Sequence, residues 1–118
     1  MKSQHGIALL PVLLLAGCGY GFEGEYLNSA AVTSATPPVL RIEGSHAAFH
    51  DLGGKRLSEF YSVSVDGSRI LLSEAAVRIE FEVRADGETL DCVGNCVAYA
   101  DSGRFWHLHR RGWSRTGN

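Results

Sequence analysis

Residues Val77-Arg78-Ile79-Glu80-Phe81-Glu82-Val83-Arg84 alternate apolar and charged without a break. On a pleated strand this period of two puts Val77, Ile79, Phe81 and Val83 on one face and every charge on the other. A strand with one greasy face does not stand alone. It must find neighbours and a second apolar layer to cover that face. The mixed signs on the wet face also discourage edge-to-edge association.

Shorter runs repeat the theme. Asp86-Gly87 is hairpin-turn chemistry, and it leads into a strand over Glu88–Cys92. Leu57–Val65 reads as a strand with Tyr61, Val63 and Val65 inward and Ser58, Phe60, Ser62 and Ser64 outward. Asp66-Gly67 turns it back into Arg69–Ser73. Val39–Glu43 and His46–His50 are strands joined at Gly44-Ser45, and Phe22–Leu27 opens the fold. Cys96–Ala100 and Arg104–His109, joined by Asp101-Ser102-Gly103, close it. Only Asn28–Thr36 and Ser73–Ala76 suit a helical turn. The expectation is an all-β domain: a small antiparallel meander of about eight short strands that closes as a barrel or a sandwich. Residues 28–38 form its one long loop or linker, and residues 112–118 read as a flexible tail.

The chain has a short basic start, Met1-Lys2, and nine residues, Ile7–Leu15, form an apolar run interrupted by Pro11. Leu15-Ala16-Gly17-Cys18 follows directly. The run is too short for a membrane-spanning helix, which needs about 20 residues. The order of basic start, apolar core and small residues before a cysteine resembles a bacterial lipoprotein signal peptide ending in a lipobox. The resemblance implies that residues 1–17 are removed and that Cys18 carries acyl chains, so the membrane is held through lipid on Cys18. It also implies, from Gly19, an outer-membrane address in the bacterial cell envelope. Further on, Gly21-Phe22-Glu23-Gly24-Glu25-Tyr26 resembles the first strand of lipocalin-like and fatty-acid-binding barrels, which implies a carrier of an apolar ligand.

Removing residues 1–17 leaves 101 of the 118 residues, enough for one small domain. The net charge is −2, so no strong field points at nucleic acid. The distribution is uneven. Glu43 to Asp91 holds 10 acidic and 5 basic residues, whereas Asp101 to Asn118 holds Arg104, Arg110, Arg111 and Arg115 against Asp101. Trp106 and Trp113 lie among these arginines. Arg104, Trp106, Arg110, Arg111 and Trp113 therefore form a candidate contact surface for an envelope protein or a cell-wall component.

Lipidation of Cys18 leaves Cys92 and Cys96 as a pair in an oxidising compartment. Gly94-Asn95 between them suits a disulfide across the base of a tight hairpin. His46 and His50 share a face by parity, as do His107 and His109, and the two pairs are candidate zinc or copper ligands. No cofactor is implied. None of the serines sits in a nucleophile-elbow pattern, and no glycine-rich loop opens a helix. The sequence points away from an enzyme. It points first to an anchored binding protein, next to a small carrier, and third to a histidine-based metal-binding protein.

Overall fold

A computed structural model describes residues 20–116. Among these residues there is no α-helix; the chain is built of ten strands and two 3-10 turns. The strands are β1 (Gly24–Asn28), β2 (Val39–Glu43), β3 (His46–His50), β4 (Tyr61–Asp66), β5 (Arg69–Glu74), β6 (Val77–Val83), β7 (Thr89–Gly94), β8 (Val97–Tyr99), β9 (Phe105–His107) and β10 (Trp113–Arg115). Eight of them close a barrel in the order β1-β10-β7-β6-β5-β4-β3-β2, every pairing antiparallel. β8 and β9 pair only with each other, as a separate two-stranded sheet.

The alternation in β6 closes the core as its period demands. Ile79 and Phe81 are fully buried, while Glu80 and Glu82 point outward to Arg69 on β5. Five aromatic rings, Tyr26, Phe49, Tyr61, Phe81 and Trp113, fill the centre with Leu40, Ile42, Ile70, Leu72 and Leu90. Phe49 meets Trp113 edge-on at 5.7 Å and Tyr61 at 6.2 Å, and Phe81 meets Trp113 at 6.1 Å. An eight-stranded barrel is about wide enough for its side chains to fill, and these rings fill it.

The expected tail is instead the strand that closes the barrel. β10 pairs with β1 through Tyr26↔Arg115 to Asn28↔Trp113, and with β7 through Trp113↔Leu90 and Ser114↔Thr89. Trp113 is 0% exposed, and its indole N–H donates to the His109 carbonyl at 2.8 Å. A run of arginines and glycine around a single tryptophan masks the strand in the sequence. The tryptophan's burial decides the outcome.

One further expectation is corrected. The strand predicted from Leu57 starts only at Tyr61. Ser58 is fully buried; its hydroxyl accepts from the Phe49 N–H and donates to the Glu59 carbonyl. This side chain takes the place of a ladder partner beside β3. The connection over 29–38 is long, as expected, and the helical turn suited to Asn28–Thr36 is present as a 3-10 turn. Asn28 caps a 3-10 turn over Ser29–Thr33, accepting from the Ala30 and Ala31 N–H groups, and its amide donates to the Arg111 carbonyl at 2.8 Å.

The barrel has two unlike ends. One carries the short turns at Gly44-Ser45, Gly67-Ser68 and 84–88, and here the described chain begins. The Glu23 carboxylate accepts from the Gly44 N–H at 2.6 Å, and the Tyr26 hydroxyl donates to the Phe22 carbonyl. The other end carries the long connections over 29–38, 51–60 and 95–112.

Candidate functional site

The β8–β9 hairpin sits on the long-loop end and has two faces. Ala98 and Trp106 face each other across the ladder and, with Cys96 and Leu108, pack onto the barrel core. Tyr99 and Phe105 face each other on the opposite side, which is open to solvent. Phe105 is 57% exposed; its ring lies 5.9 Å from Tyr99 and 5.8 Å from His107. β8 is fastened to the segment before β4: the Glu59 N–H donates to the Tyr99 carbonyl, and the Tyr99 N–H donates to the Tyr61 hydroxyl.

The hairpin leaves the barrel at a corner. In β7 one extra residue, Val93, stands between the pairs Glu80↔Gly94 and Phe81↔Cys92. Such a bulge bends its strand. Asn95 then adopts a φ of 49°, in the left-handed region that asparagine tolerates. The disulfide Cys92–Cys96 spans this corner, with its Cα atoms 5.9 Å apart. The pairing of the two cysteines is as expected, but its setting is not. β7 and β8 are not ladder partners, so the bond braces the exit from the barrel instead of the base of a hairpin. On the return, the Cys92 N–H donates to the Arg110 carbonyl at 2.6 Å, which lays 108–112 beside β7.

Most of the arginines fall into two sets; outside them, Arg56 pairs with Asp101 of the hairpin turn, and Arg78 on β6 has no carboxylate within 4.0 Å among the described residues. On the barrel wall Arg41 pairs with Glu25, Arg69 with Glu82, Arg84 with Asp91 and Arg115 with Glu88. Around the hairpin Arg104, Arg110 and Arg111 have no carboxylate within 4.0 Å among the described residues, and Arg104 instead lies 6.0 Å over the Trp106 ring. Of the five residues of the candidate contact surface, four gather at this end. The fifth, Trp113, is withdrawn into the core and cannot touch a partner.

Exposed large apolar side chains follow the same division. Among the described residues these are Val32, Leu52, Phe60, Val93, Tyr99 and Phe105. All but Phe60 belong to a long connection, to the hairpin or to a strand tip at the same end; the Phe60 ring lies on the barrel wall against His46, at the start of β3. Parity alone places Phe60 outward in the sequence, whereas nothing in the alternation of the two short runs around Tyr99 and Phe105 marks those rings as exposed. Phe105 shares parity with His107, and a histidine on that face was the available signal of exposure.

The histidines separate. His46 and His50 both border a cleft of about 170 Å³ on the outside of β2 and β3, with Arg41, Glu43, Ala48 and Phe60. The small Ala48 between them forms its floor. Four residues along a strand span about 13 Å, too far for both imidazoles to grip one ion. His46 meets Phe60 edge-on, and Arg56 lies 4.4 Å over that ring. His50 is only 6% exposed, and its Nδ1 has no hydrogen-bond partner among the described residues. Burial, then the nearby Arg41 charge, holds its pKa below the usual histidine value; the Ala48 carbonyl partly offsets this. His107 ends β9, while His109 lies beyond it and offers its carbonyl to Trp113. Among the described residues no three His, Cys, Asp or Glu side chains gather as a metal site would require.

Cys18 lies outside the described residues. Among the described residues no helix is long and apolar enough to cross a membrane. No protein-family model, no curated protein and no solved structure matches this chain.

Proposed function

We propose that this chain is a non-enzymatic, lipid-anchored protein of the bacterial envelope, tethered through Cys18 at the outer membrane, whose barrel presents a binding surface to another envelope protein. The lipobox-like Leu15-Ala16-Gly17-Cys18 supports the tether. One observation carries the binding role: the exposed Tyr99 and Phe105, and Arg104, Arg110 and Arg111, which have no carboxylate partner among the described residues, share the barrel end opposite the one where the described chain begins. Aromatic and arginine side chains dominate the energetics of protein interfaces. A tether at residue 18, close to the Tyr20–Phe22 turn, leaves that far end facing away from the lipid. Five aromatic rings occupy the axis where a carrier would hold its ligand, which favours a binding surface over a carrier's cavity.

The experiment is photo-crosslinking in intact cells of the source bacterium or a close heterologous host. A benzophenone amino acid replaces Phe105 at the far end or Ser68 at the near end. A reproducible protein adduct from position 105, absent from position 68, is the expected result. Adducts at neither position, or only at 68, would remove this reading. Intact-mass analysis finding a free thiol at residue 18 with residues 1–17 still attached would remove the tether.

A further inference from the structure

We propose that the outer edge of β9 is a strand-addition site that takes an extended acidic segment of a partner protein. This rests on the binding role above and specifies its chemistry.

The backbone pattern identifies the edge. The Leu108 N–H donates to the Cys96 carbonyl, and the Ala100 N–H donates to the Arg104 carbonyl. With the register Val97↔His107, Ala98↔Trp106 and Tyr99↔Phe105, the inward-bonding residues of this strand are those at even positions. The N–H and C=O groups of Phe105 and His107 therefore point away from β8. On the opposite side of the hairpin the corresponding groups of Tyr99 are taken up by Glu59 and Tyr61. On β9, Phe105 and His107 have no backbone partner there among the described residues. The barrel strands lose their edges by closure, but β9 keeps one. Proteins commonly guard such edges with Lys, Pro or inward charge, or cover them with a loop. Neither Pro nor Lys occurs in 104–109.

The flanking side chains define what would fit. A strand laid along β9 alternates its residues between two faces. On one face they meet Phe105 and, beyond it, Tyr99, which suits an apolar residue. On the other they meet Arg104, held over Trp106, which suits a carboxylate. Arg110 and Arg111 continue the chain past the same edge without acidic partners among the described residues. Arg41, Arg69, Arg84 and Arg115 on the wall already hold carboxylates, so added negative charge is attracted to the three free guanidinium groups clustered at this end. Main-chain bonding would supply affinity, and the alternation would supply selectivity.

The test uses the full lipid-anchored chain in detergent and a fluorescent peptide of alternating Glu and Val, followed by anisotropy. Binding that weakens with salt is expected, with a Lys–Val peptide of equal length inert. His107→Pro removes an outward N–H but no bond of the β8–β9 ladder, a position where an edge strand accepts proline. It is expected to weaken binding about tenfold relative to His107→Ala, the effect of about one backbone hydrogen bond. Should H107P misfold by circular dichroism, hydrogen exchange of the wild type decides instead. Saturating peptide should slow the Phe105 and His107 amides. Equal binding of both peptides, no binding of the Glu–Val peptide, equal affinity of H107P and H107A, or unprotected amides would each overturn the proposal. So would a dimer of this chain that H107P abolishes. If position 105 still captures an envelope protein in cells, the binding role survives and only strand addition fails.

Discussion

At His50 the effect of a single register position is plain. Parity puts it outward on β3, yet the 51–60 connection folds over it and buries it. Burial and the Arg41 charge hold its pKa below the ordinary value of 6.5, so the unfolded chain binds a proton more readily than the folded one. Its contribution to stability is complete above that ordinary value and is lost as pH falls below it. Denaturant melts at a series of pH values should therefore show stability falling on acidification from neutrality, and His50→Gln should flatten that fall. An unchanged slope in the variant would place the effect elsewhere. Nothing in His46-Ala47-Ala48-Phe49-His50 announces which imidazole is covered, because the covering residues come from a neighbouring connection. Ser58 makes the same point: a serine in an alternating run reads as exposed, and only the unfilled Phe49 N–H beside it explains its burial.

Elements were legible where the alternation was long. The β4–β5 and β6–β7 hairpins fall where Asp66-Gly67 and Asp86-Gly87 put them, since both turns take a residue with positive φ. The Cys92–Cys96 pair was also legible, but its role depends on a bulge that local sequence does not encode. Closing a five-residue loop is worth about 2 kcal/mol in the chain-entropy model. Replacing both cysteines with serine should lower stability by about that amount. Because the bond sits at the exit to the hairpin, amides of β8 and β9 should exchange faster than those of β5 and β6. Uniform acceleration across the barrel, measured by hydrogen exchange, would show that the bond acts globally instead.

For the whole molecule, closure is the decisive event. β10 covers the facing edges of β1 and β7 and delivers Trp113 to the centre of the aromatic cluster. Ending the chain at Arg111 should abolish cooperative melting, since losing a buried tryptophan alone costs about 3–5 kcal/mol, a large share of a small domain's stability. Trp113→Phe should keep the transition at a lower midpoint. A cooperative melt from the truncated chain would mean that seven strands suffice.

The linear order of residues by itself determined the all-strand character, most hairpins, the cysteine pairing and the crowding of arginines late in the chain. Each is a local property: a period of two, a turn dipeptide, a short loop, a composition. Tertiary structure alone decided between barrel and sandwich, sent Trp113 inward and left Phe105 outward, and gave β9 its open side. Those outcomes depend on which residues far apart in the chain cover one another, and a pattern with a period of two names a strand's faces without saying what will lie against them.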